Sequence, residues 1–295
     1  MSELINILFI INPISGTVKK SGVEHLINEN LDLSKYNYSI KHTQYPHHAT
    51  EIAKQESTNY KIIVAVGGDG TVHEVGLGLI HTNSTLGIIP MGSGNGLARH
   101  LKIPMSTKKA ILLLNNFQSK PIDTVKINDT HFLGAGGIGF DAHISYLFAK
   151  ATKRGFITYL QLSVKEFFSY NEHNYQLIID GKIFYKKAFL ITFANSNQYG
   201  NNAFIAPNAV IDDGWISIVI LKKFSLIYAI PLAIKLFTKK INPSKFVEEI
   251  KVKKAQIISP SNEIHLDGEP LLIENTINIE VLPLSLNVIS NEKKK

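Results

Sequence analysis

Hydrophobic positions fall into two regimes along the chain. In the first third, short apolar runs alternate with segments of helical spacing. Leu4 to Ile11, Ile62 to Val66 and Leu86 to Pro90 read as buried strands. Tyr38 to Thr43 reads as a strand with Ile40 and His42 set against Ser39 and Lys41. Between them lie helical patterns: one reaching Asn30, one marked by Val72, Val75 and Leu79, and one starting at Leu97. This alternation continues to Asn115 and predicts a doubly wound parallel sheet.

The regime changes at Lys120-Pro121, after which strand signals dominate. Asp123 to Asn128, Tyr175 to Ile179, Ile183 to Phe193, Trp215 to Leu221, Glu249 to Ala255, Gln256 to Ser259 and Ile277 to Leu282 read as strands. Asp180-Gly181 predicts a tight hairpin. Helical patterns run from Ala142 to Ala151 and from Phe156 to Tyr170. The expected fold is thus an α/β domain over residues 1–121, an antiparallel β-sandwich over 122–290 and a frayed tail at 291–295. Phe224 to Phe237 is an apolar helix interrupted by Pro231 and followed by Lys239-Lys240. It suits a membrane interface or a cover for the β-domain; its shortness and its place between strands favour the cover.

Two glycine-rich loops carry the chemistry. Gly67-Gly68-Asp69-Gly70 leaves the Ile62 strand and enters a helix; Gly92-Ser93-Gly94-Asn95-Gly96 does the same after Leu86 to Pro90. Glycine lets another group approach the backbone closely, and amides at a helix N-terminus suit phosphate. Both loops should lie at the carboxyl edge of one sheet, where open α/β folds bind ligands. Asp69 is out of place in a phosphate cradle unless a cation accompanies the phosphate or a proton must be removed from a hydroxyl; capping of the helix is the plainer reading. Asn12-Pro13-Ile14-Ser15-Gly16-Thr17 is a third polar loop with the same placement. His47, His48 and Glu51 look like metal ligands on paper, but adjacent histidines before a helix more often mark a solvated helix start.

Composition narrows the partners. The 295 residues hold no cysteine, which excludes disulfides and thiolate catalysis and fits a reducing compartment. No apolar stretch approaches the ~20 residues of a membrane span, and no signal peptide is apparent. The formal charge of +7 favours anionic partners such as nucleotides or an anionic membrane face. The lysines are dispersed and no nucleic-acid recognition motif is present.

Asn12-Pro13-Ile14-Ser15-Gly16, Gly67-Gly68-Asp69-Gly70-Thr71, Gly92-Ser93-Gly94-Asn95-Gly96-Leu97-Ala98-Arg99 and Asp267-Gly268-Glu269-Pro270 occur in this order. Together they resemble the diacylglycerol kinase and sphingosine kinase family of lipid kinases across nearly the whole chain. The resemblance implies an ATP-dependent, Mg2+-assisted transfer of the γ-phosphate to a lipid hydroxyl, diacylglycerol above all. It implies nucleotide contacts at Asn12, Pro13, Ser15, Gly16, Thr43, Gly67, Gly68, Asp69, Gly70, Thr71, Glu74, Gly92, Ser93, Gly94 and Asn95. By resemblance to the bacterial diacylglycerol kinases Glu269 is the expected proton acceptor with Asp69 its essential partner, whereas resemblance to the sphingosine kinases makes Asp69 the alternative acceptor; the resemblance also puts a structural magnesium at Asp213 with the carbonyls of Val210 and Trp215. The enzyme so described is cytoplasmic and peripheral to an anionic membrane, and a homodimer is compatible with it. Many bacterial members carry Thr-Asn-Asp in the second glycine loop; here Asn95 is followed by Gly96, and Gly92-Ser93-Gly94-Asn95 leans toward the sphingosine-kinase branch. A sphingoid-base kinase, an NAD kinase sharing only the Gly-Gly-Asp-Gly motif, and a non-catalytic lipid- or nucleotide-binding module are the alternatives. Retention of both Asp69 and Glu269 argues against the last.

Overall fold

The computed structural model describes residues 4–13, 21–152 and 155–291. The chain divides into two units, Met1–Ile122 with Leu284–Lys295, and Asp123–Pro283. Ser15, Gly16 and Thr17 lie outside the described residues, as does most of the tail expected at 291–295.

The first unit runs β1 (Ile5–Ile11), α1 (Ser21–Asn30), β2 (Tyr36–His42), α2 (His48–Glu56), β3 (Ile62–Gly67), α3 (Asp69–Leu79), β4 (Thr85–Pro90), α4 (Gly96–His100) and α5 (Thr107–Leu114). Its strands stand in the order β2-β1-β3-β4 and all pair in parallel. Ile62 to Val66 are wholly buried, because a parallel strand covered on both faces must be apolar throughout. The chain reverses its direction of travel across the sheet between β1 and β3. Ligands of open α/β sheets bind at such a switch, outside the carboxyl ends of the strands.

The second unit runs β5 (Gln118–Ile127, entered from the first unit), β6 (Thr130–Phe132), β7 (Ala135–Gly139), α6 (Phe140–Lys150), α7 (Phe156–Phe167), β8 (His173–Ile179), β9 (Lys182–Ala188), β10 (Leu190–Ala194), β11 (Ile216–Leu221), α8 (Ala229–Phe237), β12 (Val247–Val252), β13 (Lys254–Ile258), β14 (Glu263–Leu266), β15 (Glu269–Leu272) and β16 (Thr276–Ser290). One antiparallel sheet has the order β12-β11-β10-β7-β14-β15. In the other, β13 pairs with β16 and β8, and β8 with β9. Phe193, Ile218, Ile264 and Leu266 from the first sheet and Tyr175, Leu177, Ile257 and Ile277 from the second share one buried cluster, the core of a β-sandwich.

Three expectations change. The apolar run from Ile183 to Phe193 is two strands in different sheets: β9 closes the hairpin at Asp180-Gly181, and β10 pairs with β7 and β11. Glu249 to Ala255 likewise divides between β12 and β13. A run of strand-forming residues does not reveal such a change of sheet: Ile183, Phe184 and Tyr185 of β9 end up exposed while Leu190 to Ala194 of β10 are buried. The boundary expected after residue 290 moves as well. β16 outlasts the expected strand, and beyond Pro283 and the left-handed Leu284 (φ 49°) it belongs to the first unit. There Asn287 and Val288 pair in parallel with Thr85 and Leu86, adding a strand beside β4.

Ile289 in this returning stretch is 1% exposed. Ile289→Ala is expected to lower unfolding stability by about 2–4 kcal/mol, the usual loss for a truncated core residue. A urea titration reads it, and an unchanged midpoint would mean that the stretch is no part of the core.

Candidate active site

The ends of the parallel strands are in register, so their loops emerge side by side. Ile11 pairs with His42 and with Val66, and Gly67 pairs with Pro90. The ladders continue one step into the loops: Thr43 N–H donates to the Ile11 carbonyl (2.9 Å), Asn12 N–H to Val66 (3.3 Å) and Met91 N–H to Gly67 (2.8 Å). Asn12, Thr43 and both glycine loops therefore line one edge, with Pro13 exposed beyond Asn12.

The glycine loops touch backbone to backbone. A Cβ on Gly92 would stand 2.7 Å from the Gly68 Cα, and one on Gly67 would run into the Thr71 side chain. A Cβ on Gly94 would lie 2.8 Å from Asp69 Oδ2. Side chains at these positions would force the loops apart, which explains glycine there. Asp69 is the first residue of α3 after the extended Gly68. Its Oδ2 accepts the Asn95 N–H (2.8 Å) and its Oδ1 the Gly96 N–H (2.7 Å). The carboxylate thus ties the second loop to the first. Asn95 completes the tie: left-handed at φ 51°, it accepts the Gly92 N–H (3.0 Å) and donates to the Gly92 carbonyl (2.7 Å). Arg99 Nε donates to the Gly94 carbonyl at 3.0 Å, a loop-bracing role that was not evident from the sequence. Ser93 is exposed at the tip, Gly70 and Thr71 form the first turn of α3, and Thr71 Oγ1 is buried without a partner.

Glu74 points elsewhere. Its carboxylate accepts the N–H groups of His47 (3.0 Å) and Ala49 (3.2 Å) at the start of α2. A carboxylate there satisfies otherwise orphaned helix amides and complements the helix dipole. Nearby, Tyr45 stacks on His48 and donates to Glu51 (2.7 Å).

In the second unit, Asp267-Gly268 is the two-residue turn joining β14 to β15. Both residues have positive φ, 50° and 88°, as in a type I′ hairpin. Asp267 accepts N–H bonds from Leu133 (2.9 Å), Gly134 (2.7 Å) and Ala135 (3.1 Å). Glu269, opposite Leu266 across the hairpin, is exposed. Of the two acids in the motif, the aspartate serves the backbone and the glutamate faces outward.

Comparison with known proteins now decides the family. Residues 6–127 match the diacylglycerol kinase catalytic domain, and residues 134–290 match the YegS C-terminal NAD kinase beta sandwich-like domain. The chain belongs to the diacylglycerol kinase-like lipid kinases. A diacylglycerol kinase of Bacillus subtilis (strain 168) is 28% identical over 269 residues, covering 88% of either chain. A diacylglycerol kinase of Staphylococcus aureus (strain JH9) is 28% identical over 224 residues, 74% of this chain and 70% of that protein. The crystal structure of a diacylglycerol kinase from Bacillus anthracis (Sterne) superposes with a TM-score of 0.76 over 99% of this chain and 98% of its own, at 23% identity, and shows the common fold. As a lipid kinase the protein is a phosphotransferase with an alcohol acceptor.

In this lipid kinase the Asp213 turn is already neutralised. Asp213 Oδ1 accepts the Trp215 N–H (3.0 Å), and Oδ2 meets the Lys251 ammonium at 3.2 Å. A structural magnesium held by Asp213 and the carbonyls of Val210 and Trp215 would have to displace Lys251. Among the described residues no group of three or more His, Cys, Asp or Glu side chains is gathered to hold a metal ion. That donor set offers one carboxylate, paired with Lys251, beside the two carbonyls.

The double tie at Asp69 alters what its amide variant does. Asn accepts at one oxygen only, so its NH2 would face a backbone N–H across the other contact. Asp69→Asn is expected to lose about 1–3 kcal/mol of stability, the cost of an unmet buried partner. Thermal unfolding checks this; a variant as stable as the wild type would refute the tie.

Proposed function

We propose that the protein is an ATP-dependent diacylglycerol kinase acting at an anionic membrane surface and yielding phosphatidate. The observation that carries the reading is the pair of glycine loops locked together at the sheet's carboxyl edge beside the topological switch. The first turn of α3 brings backbone amides to that edge, and amides at a helix N-terminus suit the phosphates of a nucleotide. Asn12, Thr43 and the glycines frame the site, while Asp69 holds its walls at fixed spacing. Because Asp69 accepts two amides, its charge is already partly compensated, which lessens its repulsion of phosphate. The magnesium ion that accompanies ATP offsets charge on the phosphates when bound, and Asp69 is the loop carboxylate suited to face it.

In the transfer, the acceptor hydroxyl oxygen attacks the γ-phosphorus, the bond to the β–γ bridging oxygen breaks, and ADP leaves. The hydroxyl proton passes to a base. Glu269 suits that role, because its exposed carboxylate can approach a substrate and it begins β15 directly after a two-residue turn rather than lying in a long loop. Diacylglycerol as acceptor rests on the names of the relatives.

Access to a lipid rests on two helices of the second unit. Contrary to the expected packing, the segment before and within α8 presents its apolar side outward: Ile227 is 77% and Ile230 73% exposed, and only Leu232 of α8 is buried. α7 does the same through Ile157, Leu160, Val164 and, just beyond it, Phe168. These positions recur at helical spacing on one face. The bases of the two segments meet through tilted ring contacts, Phe167 against Phe224 (5.1 Å) and Tyr228 and Phe224 against Phe246 (5.0 and 6.0 Å). Exposed apolar patches of this kind mark interaction sites, and Lys222, Lys239 and Lys240 at their rim suit anionic headgroups. Among the described residues no helix is long and apolar enough to cross a membrane.

Two measurements test these readings. Glu269→Gln should lower kcat by about 10²–10⁴-fold, the span of general-base catalysis, while ATP affinity is kept. Loss of ATP affinity with full turnover at saturation would put Glu269 in the nucleotide site instead. Vesicle sedimentation should show binding to phosphatidylglycerol vesicles that weakens with salt, as the Debye length falls from about 10 Å at 0.1 M to about 3 Å at 1 M. Lys239→Glu with Lys240→Glu should weaken it, and Ile227→Asp with Ile230→Asp should abolish it. Equal binding by all three proteins to neutral and anionic vesicles would refute this surface.

A further inference from the structure

The sandwich buries a carboxylate that the proposed chemistry does not use. Asp141, in the first turn of α6, has a side chain only 7% exposed. It lies over a row that crosses three strands: His265 of β14 pairs with Gly137 of β7, and Gly137 with Thr192 of β10. Gly137 leaves a gap in that row. A Cβ there would stand 2.3 Å from Asp141 Oδ2 and 2.9 Å from His265 Nε2. The carboxylate occupies the gap and gathers donors from both sides. His265 Nε2 lies 3.2 Å from Oδ2, the Tyr199 hydroxyl 3.1 Å and Thr192 Oγ1 3.4 Å; Oδ1 accepts the Ala142 N–H at 2.9 Å. Tyr199 and Thr192 also touch each other. Burial, with the Asp141 charge added, raises the Tyr199 hydroxyl well above its ordinary range, so it stays protonated as a donor.

Burying a carboxylate is costly unless it is paired and hydrogen-bonded. What this one secures is the strand that carries the Asp267-Gly268-Glu269 turn. β14 is fixed to β7 at its far end by Asp267, and within the strand by His265 reaching over Gly137 to Asp141. His265 Nδ1 is buried without a partner, so the tautomer that fits carries its proton on Nε2 and donates it to Asp141. β15 itself lies at the sheet edge, held by β14 alone among the strands. The setting of Glu269 is therefore inherited from β14.

We infer that Asp141 and His265 are positioning residues for Glu269, fixing the hairpin that presents its carboxylate to the lipid hydroxyl. The inference rests on Glu269 as the base. His265 touches no substrate in this role; it acts through the strand. The polar bridge suits this better than an apolar contact would, because a hydrogen bond fixes direction as well as distance.

The test compares His265→Leu, His265→Gln, Glu269→Gln and the double variant His265→Leu/Glu269→Gln, assayed with ATP and 1,2-dioctanoylglycerol in mixed micelles. His265→Leu should lower kcat roughly 10- to 100-fold, as expected for a misplacement on the order of 1 Å, with the KM for ATP unchanged. His265→Gln, whose amide nitrogen comes near the place of Nε2, should recover most of the loss. The double variant should be no slower than Glu269→Gln alone. A purely structural histidine would lower the unfolding temperature without this rescue or this non-additivity. If His265→Leu does not fold, His265→Asn replaces it, being polar but too short to put a donor where Nε2 stands. Wild-type kcat in the shortened variant, or an undiminished further loss in the Glu269→Gln background, overturns the inference while leaving Glu269 as the base. Wild-type turnover by Glu269→Gln alone overturns the base assignment, and the positioning role with it.

Discussion

One carboxylate between two peptide groups sets the geometry of the glycine loops in the first unit. Asp69 accepts the N–H groups of Asn95 and Gly96, and so spans the gap between loops that leave adjacent parallel strands. The register of β3 against β4 delivers the loops to the same height, and the glycines let them touch. Neither condition suffices alone. In-register strands with larger residues would hold the loops apart, and glycine loops without the carboxylate would have no fixed spacing. The cradle is rigid because it is over-determined: two bonds to Asp69, two between Asn95 and Gly92, and one from Arg99 to Gly94.

The same device recurs in the sandwich. Asp267 accepts three backbone amides, and Asp123 accepts the Gly214 N–H at 2.7 Å while its own N–H donates to the Ile211 carbonyl. Glu74 does likewise for α2. A carboxylate satisfied by peptide N–H groups is fixed by the backbone itself, without the entropy spent in holding a long cationic side chain. Acidic residues that read as chemistry in the sequence are therefore often joints. In Asp267-Gly268-Glu269 the two roles stand two residues apart.

Much of this was legible in the sequence because it is local. Continuous apolar runs marked β1, β3 and β4; glycine spacing marked the two loops; Asp180-Gly181 marked a hairpin. What escaped depends on partners far along the chain. Glu74 sits at helical spacing like any solvent-facing acid, and only the start of α2 gives it work. Asp141 carries no signal of its own in the sequence, though Gly137 four positions earlier was the available sign that something else fills that space. Ile183 to Phe193 reads as one strand because strand-forming residues do not record which sheet takes them up. The outward face of α8 was misjudged because its apolar residues look like core in any pattern, and only their exposure in the fold separates the two.

The returning end of β16 bears on how the protein is made. Val288 pairs with Leu86, and Asn291 reaches the Lys102 carbonyl across 189 positions. Domains commonly fold in turn as they leave the ribosome, the N-terminal one first. Here the N-terminal sheet lacks an edge until the sandwich has been translated in full. During synthesis β4 is an unprotected apolar border, open to pairing with another nascent chain. The strand that covers this border is thus the last of the chain to be made, and the first unit is complete only when synthesis ends.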